Sequence, residues 1–228
     1  MPELILPGAE DRTVVIGPTG SGKTVAGAWL LSRQRFDKRP WVALDFKNEI
    51  LWDQVGSPTM RHLKLGHMPD KRGLYRMPVD PGDEEALEQW FWKVWRAENI
   101  GLFIDELSLV PQCASFRAIL RQGRSKRIPL IGCTQRPVKV DREVFSESGF
   151  KMIFPLSDGR DSKTVKEFCR DAPIDKPIRN QNGVIIKHAS YWYDEKRDAL
   201  LTLQPTPKPE IIAAELRRVV PVRTFWGT

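Results

Sequence analysis

Cysteine is scarce: Cys113, Cys133 and Cys169 stand far apart and form no C-x-x-C pair, so neither a zinc ribbon nor a disulfide scaffold is encoded. The three histidines, His62, His67 and His188, are equally dispersed. They lack metal-ligand spacing and read as structural or surface residues. No apolar run is long enough to span a bilayer, and the first residues carry Glu3, Glu10 and Asp11 without a long apolar core. Internal repeats and low-complexity segments are missing too. These absences lead to the expectation of a soluble protein from a reducing, cytoplasmic compartment.

Acidic residues are outnumbered. Against 36 Lys+Arg there are 29 Asp+Glu, a formal charge of +7, and the isoelectric point near 9.4 suits a surface that attracts polyanions. Charge alone fits a merely solvated surface equally well. A chain of 228 residues has room for one large domain with a substantial core. Pro205, Pro207 and Pro209 mark a break, so residues 1–204 are expected to form that domain. Residues 205–228 then form a tail with a short amphipathic helix around Ile211 to Val219.

The most specific stretch is Gly17-Pro18-Thr19-Gly20-Ser21-Gly22-Lys23-Thr24, a complete G-x-x-x-x-G-K-[ST] loop. A β-branched run, Arg12 to Ile16, precedes it, and a helical pattern beginning at Lys23 and continuing through Val25 follows. Glycines in this spacing let successive N–H groups curl inward around phosphate oxygens, and the dipole of the next helix adds positive potential. Lys23 would reach the β- and γ-phosphates, and the Thr24 hydroxyl would ligate Mg²⁺. ATP and Mg²⁺ are the expected ligands.

Strand and helix patterns alternate along the rest of the chain. Trp41 to Leu44, Gly73 to Val79, Ile100 to Ile104, Ile128 to Cys133 and Phe150 to Phe154 read as buried strands. Gly183 to Lys187, Tyr191 to Tyr193 and Ala199 to Leu203 read as later ones. After Asp80-Pro81, an expected helix start, Leu87, Trp90, Phe91, Val94 and Trp95 fall on one helical stripe and Trp92 falls off it. The class is α/β with a mostly parallel sheet, the P-loop at its carboxyl edge and a small C-terminal hairpin.

The buried run Phe103-Ile104 ends in Asp105-Glu106, which supplies the carboxylates that a P-loop needs. Asp105 would hold the Mg²⁺ shell and Glu106 would deprotonate the attacking water. The next strand ends at Thr134-Gln135, where Gln135 can sense the γ-phosphate. Arg121, Arg124, Lys126 and Arg127 lie at the opposite end of that strand, beyond reach of their own P-loop. They suit either a neighbour's nucleotide or a solvated, DNA-facing loop.

Taken together, these residues resemble the FtsK/HerA-type DNA-translocating ATPases of the RecA-like (ASCE) P-loop class. The match runs in order over Gly17 to Thr24, Asp45-Phe46-Lys47, Ile104-Asp105-Glu106 and Gly123-Arg124 through Thr134-Gln135-Arg136-Pro137. The resemblance implies a ring, often hexameric, that threads double-stranded DNA using ATP hydrolysed at subunit interfaces. It assigns Lys23 and Thr24 to phosphate and Mg²⁺, Asp105 and Glu106 to metal and water, Gln135 to the sensor and Arg124 to a trans-acting arginine. Arg127 occupies a place where cellular relatives commonly have glycine, and is a second candidate for that arginine.

The short chain shows no appended DNA-reading domain and looks most like the genome-packaging ATPases of tailless, membrane-containing viruses. That likeness implies a host-cytoplasmic motor, docking at a packaging vertex on a capsid or membrane-associated portal protein. A cellular or plasmid translocase, a small-molecule kinase and a nucleotide-gated assembly factor stay open as alternatives.

Overall fold

The computed structural model describes residues 3–169 and 172–221. Short runs of β-branched and aromatic residues form a nine-stranded sheet. The strands are β1 (Arg12–Ile16), β2 (Pro40–Asp45), β3 (Met60–His62), β4 (Gly73–Pro78), β5 (Gly101–Ile104), β6 (Leu130–Thr134), β7 (Phe150–Ile153), β8 (Ser190–Asp194) and β9 (Ala199–Leu203). Their order is β3-β4-β2-β5-β6-β1-β7-β8-β9. β3 through β7 run parallel, and β8 and β9 close one edge as an antiparallel hairpin. The expected RecA-like P-loop architecture is therefore present. Every residue of β1, β5, β6 and β7 is buried, as strands covered on both faces require.

Among the described residues seven α-helices cover the faces: α1 (Lys23–Ser32), α2 (Ile50–Gly56), α3 (Glu84–Ala97), α4 (Ala114–Gln122), α5 (Arg142–Ser146), α6 (Gly159–Lys166) and α7 (Pro209–Val219). On one face the α3 stripe buries Leu87, Trp90, Phe91 and Val94, and Phe91 meets Phe116 of α4 at 5.1 Å between ring centroids. On the other, α1 packs so closely on the sheet that Gly27 leaves no room for a side chain beside Cys133 and Phe103. α7 lies on α1 and α2. Its Ile212, Ala213 and Leu216 belong to the same core cluster as Leu30 and Trp52, and Arg33 pairs with Glu215 at 2.7 Å. The end of the expected tail, residues 222–228, lies outside the described residues.

Two sequence expectations need correction. Gly183–Lys187 is no strand; it contributes one isolated bridge, Arg179 to Ile185. Asn180 folds this stretch into a turn, its Oδ1 accepting from Asn182 N at 3.0 Å and Val184 N at 2.9 Å. Val184 and Ile185 face outward as a result. Likewise, Pro81 does not begin a helix. Asp80 instead closes a turn, accepting from Gly82 N at 2.9 Å, and α3 begins only at Glu84.

Candidate nucleotide site

The P-loop, Asp105, Glu106 and Gln135 follow strands that end at the carboxyl edge of the sheet. β1 lies between β6 and β7, and β6 also pairs with β5, so the loops leaving β1, β5 and β6 are neighbours. Gly20 and Gly22 have φ of 77° and 94°, the left-handed conformations that curl the loop around an anion. Gly22 caps α1, whose first turn (Lys23, Thr24, Val25) holds no acidic residue, leaving the helix dipole directed at whatever the loop binds. The Ser21 hydroxyl is buried without a hydrogen-bond partner among the described residues. A side chain at Gly17 would come within 2.5 Å of it. Lys23 is 6% exposed. Burial, and then the nearby Lys47 ammonium, push its pKa down, a cation in want of an anionic partner.

Asp105 and Glu106 leave β5 into different surroundings, although each is only 1% exposed. Asp105 Oδ1 accepts from Phe46 N at 3.1 Å, but Oδ2 has no partner among the described residues. Burial pushes its carboxyl up to about 7, and the adjacent Asp45 carboxylate adds to the rise. Asp45 itself is neutralised by Arg76 at 2.7 Å, and that guanidinium also holds Asp53 and Asn48.

Glu106 stays charged. Burial works against its anion, but hydrogen bonds from Lys47, Ser108 and Thr134 outweigh it and hold the pKa down. The distances are 2.7 Å from Lys47, 2.8 Å from Ser108 and 3.0 Å from Thr134, with Gln135 N at 3.3 Å. Two adjacent carboxylates are thus driven apart in acidity, the pattern expected where one meets a cation and the other handles a proton.

This arrangement fits a magnesium nucleotide. A buried carboxylate oxygen without a donor, a buried hydroxyl without a partner and a desolvated lysine are the groups that such a ligand would engage. Thr24 and Asp105 would hold the metal. The backbone from Gly17 through Pro18, Thr19, Gly20, Ser21 and Gly22 to Lys23, Thr24 and Val25 would hold the phosphates.

Gln135 reaches the same place. Its Oε1 accepts from the Thr19 hydroxyl at 2.6 Å, which ties the expected sensor directly to the P-loop. Beyond it, Val138 N donates to the buried Asp161 carboxylate at 3.1 Å, linking the sensor loop to α6.

Arg124 is not brought to this edge. It is exposed between α4 and β6, near Arg12, whose strand register pairs it with Leu130 at the start of β6. The five residues of β6 separate the two ends by about 16 Å at ~3.3 Å per residue. Within the same basic segment, Arg121 is engaged by Glu143, and Lys126 by Glu98 at 2.8 Å and the Trp95 ring at 4.0 Å. Arg124 and Arg127 are the exposed arginines of this segment with no ion pair among the described residues. Arg127 has φ 55°, the conformation glycine adopts most readily, so the residue departs from the resembled pattern on a backbone that still suits it.

Two contacts escaped the sequence reading. Lys47, a matched residue without a role, holds Glu106. His188, expected to be structural or at the surface, is exposed, but its Nδ1 lies 2.9 Å from the Ser21 carbonyl oxygen. Spacing carried no signal for either, because loops from distant parts of the chain make both contacts.

No family model matches the chain. It is 35% identical over 217 residues to the DNA packaging ATPase P9 of Enterobacteria phage PRD1, covering 92% of this chain and 93% of that protein. Among solved structures, the genome packaging NTPase B204 from Sulfolobus turreted icosahedral virus 2, in complex with sulfate, is similar with a TM-score of 0.66. The identity is 16%, covering 89% of this chain and 100% of that one. The pCW3 conjugation coupling protein TcpA gives a TM-score of 0.58 at 14% identity, covering 92% of this chain and 65% of that one.

Proposed function

The chain belongs to the family of viral DNA-packaging ATPases, and from that premise we propose that it hydrolyses ATP between its own copies in a ring, hexameric in the lead reading, to drive double-stranded DNA. The observation that carries the interface is the division of the catalytic set. Lys23, Glu106 and Gln135 share the carboxyl edge of the sheet, while Arg124 sits exposed at the other end of β6.

In this reading the P-loop grips the triphosphate and Glu106 takes the proton of the attacking water. Gln135 orients that water and reports the γ-phosphate through Thr19. Arg124 of a neighbouring copy neutralises the charge that grows on the transferred phosphoryl group. Mg²⁺, held by Thr24 and Asp105, would offset charge on the β- and γ-phosphates. The docking partner is a capsid-vertex or membrane-associated portal protein, met in the host cytoplasm.

ATP turnover with and without duplex DNA, run beside a mass measurement of assembly, tests the motor. DNA should stimulate turnover. Its binding should weaken with salt by about −0.9 in the log–log slope per contacted phosphate. Lys23→Ala should lose ATP binding, whereas Glu106→Gln should retain binding and lose roughly 10²–10⁴-fold in turnover. Ring assembly with no stimulation by DNA refutes the reading.

A further inference from the structure

The end of the sheet where Arg124 lies holds a buried charge that the hydrolytic roles assigned above leave out. Arg12 is the first residue of β1 and is 5% exposed. Strand alternation sets it on the same face as Val14 and Ile16, which share a core cluster with Ile119 and Leu120 of α4. A guanidinium buried there must find acceptors. Its Nη1 donates to the Leu120 carbonyl and to Glu147 at 3.2 Å, and Nη2 donates to the Ile119 carbonyl at 3.4 Å. Both carbonyls belong to the last turn of α4, where a helix leaves its oxygens short of donors and its dipole favours a cation.

Arg124 stands two residues beyond the end of that helix. A side chain at Gly123 would lie 3.1 Å from Arg12 Nη2, so the guanidinium fills the space beneath the start of the loop that carries Arg124. Ile128 N donates to the Gly123 carbonyl at 2.7 Å and closes the base of this loop. Its exit is held in a similar way: Arg39, buried just before β2, donates to the Arg127 carbonyl at 2.8 Å and pairs with Glu10. Burial pushes the Arg12 pKa down against the pull of Glu147, and Arg124 is near enough to add to the fall. Arg124 is thus an exposed side chain on a base fixed at both ends. A displacement of about 1 Å at such a group can cost about 10²-fold in rate.

We infer that Arg12 is a positioning residue that sets Arg124 for the neighbouring copy's nucleotide by tying the end of α4 to β1. This rests on the reading of Arg124 as an arginine acting between copies, and adds to it a residue that touches no nucleotide. β1 runs directly into Gly17, so the strand that leads into a copy's own P-loop also anchors the arginine offered to the next copy.

The test measures kcat and KM for ATP in the full-length chain with duplex DNA, beside a mass measurement of assembly, in Arg12→Gln, Arg12→Lys, Arg124→Ala and the Arg12→Gln/Arg124→Ala double variant. Arg12→Gln should lower kcat about 10²-fold. KM should stay within about twofold, because the interaction lost belongs to the transition state. Arg12→Lys keeps the charge without the two-pronged grip and should fall between wild type and Arg12→Gln. The double variant should turn over no more slowly than Arg124→Ala, since the loss works through Arg124.

In mixtures, Arg12→Gln subunits should regain turnover with Lys23→Ala subunits, whose arginine is intact, and gain nothing with Arg124→Ala subunits. Wild-type kcat in Arg12→Gln overturns the inference, as does a raised KM at unchanged kcat or a double variant well below Arg124→Ala. If Arg12→Gln fails to fold, Arg12→Lys is judged by the same mixtures and the same outcomes. No recovery when Arg124→Ala meets Lys23→Ala refutes the action of Arg124 between copies, and the inference with it. Recovery there, but none when Arg12→Gln meets Lys23→Ala, refutes the inference alone.

Discussion

Gly27 gives a test in which two ordinary expectations have opposite signs. It lies one turn beyond Lys23 in α1, and replacing a mid-helix glycine with alanine normally stabilises by about 1 kcal/mol. Here a methyl group would sit 2.7 Å from Cys133 Sγ and 2.9 Å from Phe103 Cε2. Neither neighbour can retreat. Both are fully buried; the Phe103 ring abuts Trp52 at 4.9 Å, and Cys133 Sγ lies 3.8 Å from the Lys23 carbonyl oxygen. Overpacking of this kind costs about 1–3 kcal/mol and outweighs the propensity gain.

Gly27→Ala should therefore unfold at lower urea concentration, with a net loss of up to about 2 kcal/mol and an unchanged m-value. Relief by moving α1 off the sheet would carry Lys23 and Thr24 with it, so KM for ATP should rise as well. Adding Cys133→Ala removes the nearest obstacle and should recover part of both effects, because contacting residues couple. A Gly27→Ala protein as stable as wild type or more so refutes the argument.

The nucleotide site supports two more tests. Mixing Arg124→Ala with Lys23→Ala subunits places an intact P-loop opposite an intact arginine at roughly a quarter of the interfaces, and turnover should reappear in about that proportion. No recovery with assembly intact would move the role to Arg127 or to an arginine acting on its own nucleotide. Asp105→Asn should separate stability from activity. As pH rises from the ordinary Asp value toward about 7, the folded protein keeps a proton that the unfolded chain has released, so folding weakens across that window. In magnesium-free buffer the variant should lose this slope and be more stable at pH 8 by about 1–3 kcal/mol, while losing magnesium-dependent turnover.

The parts of the site carried by local pattern were legible in the residues themselves. Gly17 to Thr24 announces itself because its glycine spacing fixes the curl of one short loop, with Gly20 and Gly22 in the left-handed region. Asp105, Glu106 and Gln135 could be placed because parallel strands deliver their ends to a common edge. The Gly183–Lys187 stretch misled because alternation describes only a strand's own residues, whereas a strand also needs a neighbour's free edge. Here the Asn180 turn consumed the backbone groups first. Lys47 and His188 were opaque for a different reason: each acts across a gap between distant loops, and such a distance is set by packing that no spacing rule encodes. Arg124 and Lys126 look alike in sequence, and only the contacts with Glu98 and Trp95 show that the Lys126 charge is already occupied.

With Arg124 acting on a neighbour's nucleotide as proposed, its location at the far end of β6 also bears on symmetry. A twofold axis could pair the P-loop of each copy with the arginine of the other, but it would use up both edges in a closed dimer. Head-to-tail contact instead leaves one unlike edge free on each outer copy, and such contacts either close into a ring or run on as a helix. Every subunit in such an assembly points the same way around the circle, so the assembly has handedness and two distinguishable faces. In the ring proposed above, DNA passing through would meet those faces in a fixed order, and directional movement would have its geometric origin in the polarity of one β-strand.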